Sequence, residues 1–353
     1  MTALQQKTEI KSLTLPQLQE YLKGLGQPAY RAGQLYSWLH SRLATEPGQM
    51  TNLPASLRDA LARQCTLTVA KIERKQVSQI DGTVKYLFAF DDGQCVEAVL
   101  MRYKHGNSLC ISTQVGCRMG CGFCASTLGG LVRSLTPAEM LEQVYAATRD
   151  SGERVDSLVL MGIGEPLDNL ENVLTFLEIL SSPHGLNLSL RHVSLSTCGL
   201  VDKIDELAEH RLGLTLSISL HAPDDEIRSK TMPVNRRWSI DQLLAACRRY
   251  FEKTGRRISF EYALIAGVND SPAQAAQLAA RLRGMSCHVN LIPVNEVPER
   301  AYRRSPADSV SRFKVALEAQ GINTTVRRSL GGDISAACGQ LRREQSAKGG
   351  DGQ

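Results

Sequence analysis

The 353-residue chain predicts an α/β fold: an open, partial (β/α)6 barrel with a small helical N-terminal domain and a β-hairpin extension. From Ser108 onward, strand-like and helix-like runs alternate, the pattern of parallel strands joined by right-handed crossovers. About six such units are present, short of the eight that close a barrel. Before Ser108 the hydrophobic period is first helical and then strand-like, which places two different pieces ahead of the barrel.

Residues 13–65 read as helices. Thr14-Leu15-Pro16 supplies a cap and a first-turn proline for a helix running to about Leu25. Gly24-Leu25-Gly26 breaks it. A second helix spans Ala29 to Arg42 with Leu35, Trp38 and Leu39 on one face, and a third follows Leu53-Pro54. This segment suits a plain helical bundle, and also a nucleic-acid contact through the glycine turn. Residues 66–101 then alternate. Thr83 to Phe90, Asp91-Asp92-Gly93 and Cys95 to Leu100 read as a β-hairpin with Asp-Gly at the turn. Further strands are expected near 108–114, 155–161, 190–196, 213–220, 257–264 and 287–292, with a weaker one at 322–327. Helices are expected to begin near Thr136, Asn169, Val201, Ser239, Ser271 and Pro306. The division that follows is 1–65 helical, 66–105 hairpin extension, 106–343 barrel and 344–353 a flexible tail.

Composition narrows the function. Hydrophobic residues make up 42% and charged residues 22%, as in an ordinary globular protein. No apolar run approaches the roughly 18–20 residues of a membrane span, so no membrane association is expected. Met1 to Ser12 lacks the charged-then-apolar plan of a signal peptide, and a cytoplasmic location is expected. The net charge is only +5, yet residues 230–353 carry 20 Lys+Arg against 11 Asp+Glu, and residues 1–229 carry 21 against 25. Arg-Arg pairs occur at Arg236-Arg237, Arg248-Arg249, Arg256-Arg257, Arg303-Arg304, Arg327-Arg328 and Arg342-Arg343. A one-sided basic surface suits RNA or DNA; a solvated, salt-bridged surface has the same composition.

The chain has ten cysteines, which a reducing compartment keeps out of structural disulfides. Three of them fall within eight residues, Cys117, Cys121 and Cys124, at the spacing C-x3-C-x2-C in a glycine-rich loop after the first barrel strand. Three thiolates so placed can hold three irons of a [4Fe–4S] cluster and leave the fourth iron to a substrate. Zinc prefers four protein ligands, and no fourth Cys or His stands at finger spacing. Met161-Gly162-Ile163-Gly164-Glu165-Pro166 follows the second strand. Its G-x-G is a poor dinucleotide motif, because the third glycine is missing and Pro166 interrupts the helix start.

The cysteine spacing, Phe123 within it, and the Gly164-Glu165-Pro166 segment together resemble the radical S-adenosylmethionine (SAM) enzymes. The resemblance then narrows. Cys117 to Leu128 (CRMGCGFCASTL), Ser219 to Pro223 (SLHAP), Glu261 to Ser271 (EYALIAGVNDS), Leu291 to Asn295 (LIPVN) and Asp333 to Leu341 (DISAACGQL) look like the RlmN family of bacterial 23S rRNA and tRNA adenine-C2 methyltransferases. The likeness runs from about Leu13 to Arg343.

This resemblance implies a radical SAM barrel with a [4Fe–4S] cluster on Cys117, Cys121 and Cys124. It implies SAM contacts at Gly164, Glu165, Ser196, Ser219, Leu220, His221 and Asn295. Most of these positions end predicted parallel strands, where α/β folds place ligands. The target carbon, C2 of adenine, is electrophilic and cannot attack the SAM methyl group itself, which calls for a radical route. By the resemblance, Cys338 is methylated by one SAM, loses a hydrogen to the radical made from a second, and adds to C2. Cys110, seven residues before the first cluster ligand, then attacks the Cys338 sulfur and leaves a transient disulfide. Glu97, thirteen residues earlier, takes the C2 proton. Read without the family, Glu97 is a surface strand carboxylate, Cys110 a core cysteine, Cys338 a small residue near a turn, and His221 a satisfied core histidine. Cys65, Cys95, Cys198, Cys247 and Cys287 are read as filler. The expected partners are 23S rRNA and tRNA, gripped by the arginine pairs and the helical domain, together with a flavodoxin-type electron donor; the expected state is a monomer. The rival readings are an adenine-C8 rRNA methyltransferase, a radical SAM enzyme with another substrate, and a zinc-stabilised RNA-binding protein without catalysis.

Overall fold

In a computed structural model, residues 7–341 are described, and the 344–353 segment and Arg342-Arg343 lie outside them. The helical zone contains β1 (Thr8–Glu9), α1 (Leu15–Gly24), α2 (Tyr30–His40), α3 (Ala55–Gln64) and β2 (Cys65–Thr66). Pro16 stands in the first turn of α1, and the Gln17 side chain accepts the Thr14 amide at 2.9 Å, the expected start. Strands β3 (Lys71–Val77), β4 (Val84–Ala89) and β5 (Cys95–Tyr103) form an antiparallel meander. The β4–β5 turn closes through Phe90 N–H to Gln94 O at 3.0 Å, with Gly93 at φ 77°, as Asp-Gly predicts. Strand β3 was not expected from its sequence. It is a charged edge strand, almost wholly exposed, and shows no apolar alternation.

The barrel follows: β6 (Gly106–Cys110), β7 (Gln114–Gly116), β8 (Leu131–Ser134), α4 (Pro137–Ser151), β9 (Ser157–Leu160), α5 (Leu170–Ser181), β10 (Val193–Thr197), α6 (Val201–Glu209), β11 (Thr215–Ser219), α7 (Asp225–Thr231), α8 (Ile240–Thr254), β12 (Ile258–Leu264), α9 (Pro272–Leu282), β13 (Cys287–Pro293), α10 (Ala307–Glu318) and β14 (Thr324–Val326). Capping boxes start α4 at Thr136, α8 at Ser239 and α9 at Ser271, within a residue of the sequence expectation.

One ten-stranded sheet runs β14-β13-β12-β11-β10-β9-β6-β5-β4-β3. From β6 to β14 the pairings are parallel, and from β6 to β3 antiparallel. The sheet stays open, with β3 and β14 as its edges, which is the partial barrel expected. The expected 108–114 strand divides in two. The chain leaves the sheet after Cys110 and pairs again as the β7–β8 hairpin, which carries the cysteine loop.

The main apolar core extends from Ile10 through the barrel to Ile322, with two smaller apolar clusters apart from it, one around Cys110. The helical zone is pinned to α4 by polar contacts as well. Lys11 Nζ lies 2.5 Å from Glu142, both fully buried, and His40 Nδ1 lies 2.9 Å from the Tyr145 hydroxyl. Such buried pairs are costly to break, since either partner alone would be a stranded polar group.

Candidate active site

The cysteine loop is shaped by glycines and by its hairpin. Gly116 has φ 78°, and a Cβ there would collide with the Gly130 carbonyl, so the two ends of the loop approach as only glycine allows. Cys117 N–H donates to that same carbonyl at 2.9 Å. Thr127 Oγ1 donates to the carbonyls of Cys121 and Cys124, and Arg300 donates to Thr127 Oγ1 at 2.7 Å. All three thiols face one cavity of about 830 Å³ including its mouth. Burial pushes Cys117 up to about 12 and raises Cys121 and Cys124 as well, with neighbouring thiols adding to the shift at Cys117 and Cys121. Without a metal these groups are neutral, and thiolates form there when a cation takes their protons' place.

The opposite walls come from strand ends. Gly164 has φ 110°, and a Cβ would lie 2.7 Å from Gln114 Cβ and 2.8 Å from its amide nitrogen, so the segment must be glycine to pass β7. The buried Glu165 carboxylate accepts Leu167 N–H at 3.0 Å and Cys198 N–H at 2.8 Å, joining the ends of β9 and β10. Burial raises its pKa, opposed by these N–H donors. Ser196 and Ser219 meet at 3.5 Å on β10 and β11. His221 follows β11 with φ 54°, its ring edge-on to Phe123 at 5.0 Å. Its Nδ1 accepts Ala263 N–H at 2.8 Å, and burial, helped by Arg228, lowers its pKa to about 3. The ring is therefore neutral with its proton on Nε2: a fixed hydrogen-bond donor, not an acid–base group.

Gly164, Glu165, Ser196, Ser219 and His221 line the cavity with the three loop cysteines. Leu220 and Asn295 do not. Leu220 is buried in the core, and its carbonyl accepts from Arg228. Asn295 lines a second cavity and donates to the Cys338 carbonyl at 3.0 Å.

That second cavity adjoins the first. It is lined by Val99, Met101, Cys110, Met161, Asn295, Arg327 and Cys338, among others. Cys338 is the one cysteine lining both cavities. Its loop is tied to the cysteine loop, with Ala125 N–H donating to Gly339 O and Ser126 Oγ to Leu341 O, each at 2.8 Å. Cys110 is buried beside it, its thiol pushed up to about 12 by burial and by Cys338, with Arg327 opposing. Burial works against the charge of Arg327, but Cys338, Glu261 and Cys110 around it hold its pKa above normal.

Glu97 is fully buried, so the surface-carboxylate reading is wrong. It sits two positions before Val99 on the same face of β5, and Val99 pairs with Cys110. Lys85 Nζ lies 2.9 Å from Glu97 Oε1 and 3.4 Å from the Ser335 carbonyl, so this ion pair abuts the Cys338 segment.

Sequence reasoning missed two residues. Arg228, fully buried on α7, donates to the carbonyls of Cys198 (2.6 Å), Ser219 (3.1 Å) and Leu220 (3.1 Å), and to Asn235 Oδ1 (3.0 Å). It ties the strand ends that wall the first cavity. Cys198 also lines the first cavity, with its thiol raised by burial and by Glu165, rather than being plain core filler. No local spacing marks either one.

The donor set fits a cluster. Cys117, Cys121 and Cys124 present three sulfur donors to one cavity, and thiolates are the ligands that iron–sulfur clusters take.

Comparisons agree with this geometry. A model of the radical SAM superfamily matches residues 111–279, and one of the ribosomal RNA large subunit methyltransferase N-terminal domain matches residues 8–67. The probable dual-specificity RNA methyltransferase RlmN of Lachnoclostridium phytofermentans is 51% identical over 99% of this chain and 98% of its own length. The chain belongs to the RlmN family. The Desulforamulus reducens relative of the same description is 52% identical over 97% of the chain and 98% of its own length. A crystal structure of a radical SAM methyltransferase from Sphaerobacter thermophilus superposes with a TM-score of 0.91 at 47% identity, covering 95% of this chain and 99% of that one. As an RlmN-family member the protein is a radical SAM RNA methyltransferase, using a [4Fe–4S] cluster and SAM. No described helix is long and apolar enough to cross a membrane.

Proposed function

We propose that this chain methylates C2 of adenine in 23S rRNA, at the peptidyl-transferase centre, and in tRNA, at the adenine 3′ to the anticodon. The methyl group passes through Cys338, and two SAM molecules are used per turnover. The observation that carries the reading is the position of Cys338. It lines the cavity that would hold SAM and also the cavity that holds Cys110.

Cys117, Cys121 and Cys124 would hold the cluster, which when bound supplies the electron that splits SAM into methionine and a hydrogen-abstracting 5′-deoxyadenosyl group. Glu165, Ser196, Ser219 and the Nε2–H of His221 orient SAM, with Gly164 giving it backbone access. Leu220 and Asn295 act through backbone and loop position. The Cys338 thiolate first displaces the methyl group from one SAM. After hydrogen loss, the S–CH2 carbon bonds to C2; Glu97 removes the C2 proton, and the adduct's unpaired electron would pass back to the cluster held by Cys117, Cys121 and Cys124. Cys110 then attacks the Cys338 sulfur. The S–CH2 bond breaks, the carbon gains a proton, and the two cysteines are left as a disulfide that external thiols reduce. The enzyme works in the cytoplasm as a monomer, with a flavodoxin-type donor as its reductant.

The test is a digest of total RNA from cells with and without the gene. 2-Methyladenine in both RNA classes should vanish with the gene. Appearance of 8-methyladenine as the sole gene-dependent product would overturn the assignment.

A further inference from the structure

A third concavity, an open groove of about 1050 Å³ including its solvent-filled mouth, lies next to the thiol cavity. The two share Tyr103, Arg328, Ser329 and Leu330, so the groove opens directly toward Cys110 and Cys338. One bank is the tip of the β5–β6 hairpin, Tyr103 and Lys104, where the Tyr103 ring stacks on His105 at 5.2 Å. The other is formed by Arg304 and by Arg328 to Leu330.

The charges lining the groove are not equally available. Arg102 is committed to Glu153 at 2.9 Å and to the Gly82 carbonyl at 2.7 Å. Arg304 meets only neutral oxygens at long range, Asn295 Oδ1 at 3.5 Å and Ser329 Oγ at 3.4 Å. Lys104 and Arg328 form no ion pair among the described residues. The one acid of the lining, Asp81, turns its oxygens to the N–H groups of Thr83 and Gly331, which lower its pKa against the opposing effect of burial.

The basic residues of the outer helices contrast with this. Arg249 grips Asp205 with two bonds at 2.9 and 2.7 Å, Lys253 pairs with Glu209, and Arg281 with Asp241 at 2.7 Å. Acids from α6 and α8 neutralise those side chains, whereas among the described residues Lys104, Arg304 and Arg328 carry no ion pair beside the thiol cavity.

We propose that Lys104, Arg304 and Arg328 hold the phosphates of the unpaired RNA strand that delivers the target base to Cys338. The inference rests on the proposed RNA reaction and adds where the strand lies. Two banks of cations flank a groove that single-stranded backbone can follow. The flat Tyr103–His105 pair stands where the strand must turn its base inward.

The test uses full-length holoenzyme and a transcribed, unmodified tRNA, with binding measured across a salt series. Lys104→Gln, Arg304→Gln and Arg328→Gln should each reduce the slope of log K against log salt by about 0.7–1, and the triple variant by about 2–3. KM for RNA should rise, while iron content and RNA-independent SAM cleavage stay at wild-type values. Arg249→Gln, on the paired face, should leave the slope unchanged. A wild-type slope and KM in the triple variant overturns the inference, as does an equal drop in Arg249→Gln. Failure of the wild-type enzyme to make 2-methyladenine on the same tRNA would instead overturn the reaction on which the inference rests.

Discussion

The two cavities that meet at Cys338 are walled by different kinds of structure. The cavity proposed to hold SAM, below called the cofactor cavity, rests on the ends of parallel strands, and Arg228 ties those ends together. The thiol cavity has sheet on one side only. Its other wall is the irregular segment from Arg327 to Leu341, held by scattered hydrogen bonds, among them Ser78 Oγ and Gln79 N–H to the Asp333 carboxylate, Gly331 N–H to Asp81, and Asn295 to the Cys338 carbonyl. The difference matches the tasks proposed for them. A cofactor that generates a radical must be held in one pose, whereas one sulfur must serve two neighbouring partners in turn.

Substitutions can break this comparison, and the largest effects lie with the thiols. Cys338→Ala is expected to abolish methyl transfer while SAM cleavage persists, read by mass spectrometry of the RNA. Cys110→Ala is expected to accumulate protein crosslinked to RNA, visible as a shifted band on a denaturing gel; free turnover in that variant would remove the resolving role. Next comes the tied floor of the cofactor cavity. Arg228→Met leaves three buried carbonyls short of a donor and should cost about 3–5 kcal/mol in chemical denaturation. Little loss there would mean that the floor is not held by this side chain. Gly164→Ala places a side chain at φ 110° against β7, and strain on the order of 1–3 kcal/mol should weaken SAM binding by about tenfold in calorimetry.

On the irregular wall, Asp333→Ala should hardly move the melting temperature. It should slow methyl transfer about 3- to 10-fold relative to SAM cleavage, since only the Cys338 segment is loosened. The smallest effect is pH-dependent and lies outside the thiol cavity, whose lining holds no histidine. His221 and His40 are both lowered to about 3 from the ordinary 6.5. Their folded forms are neutral, so their contribution is fully present above about pH 6.5 and is lost as pH falls toward 3, where the unfolded chain binds the extra protons. Each limits stability by at most about 1.4 kcal/mol per pH unit in that window. His40→Gln should flatten the fall in melting temperature between pH 6.5 and 5.

Much of the fold was legible because it is written in local signals. Helices start at Thr14, Thr136, Ser239 and Ser271 as read, Asp92-Gly93 turns the hairpin, and apolar runs mark the buried parallel strands. Strand β3 was hidden because an exposed edge strand needs no apolar face. The β7–β8 hairpin was hidden because its strands are short and flank a loop dense in glycine and cysteine. The arginine pairs were legible as charge but not as function. Arg249 finds its acid on a helix 44 positions away, while Arg328 finds none among the described residues.

The sequence by itself determined the order of elements and the three-thiol loop, and its motif strings pointed to the family, since spacing along a chain sets which donors share a loop and which faces are apolar. Only the tertiary structure decided that Glu97 is buried against Lys85, that Arg228 ties the cofactor wall, that Asn295 serves the Cys338 loop, and which cations stay unpaired. Those properties depend on neighbours tens to hundreds of residues apart, and burial and charge pairing are set by what packs around a group, not by what precedes it in the chain.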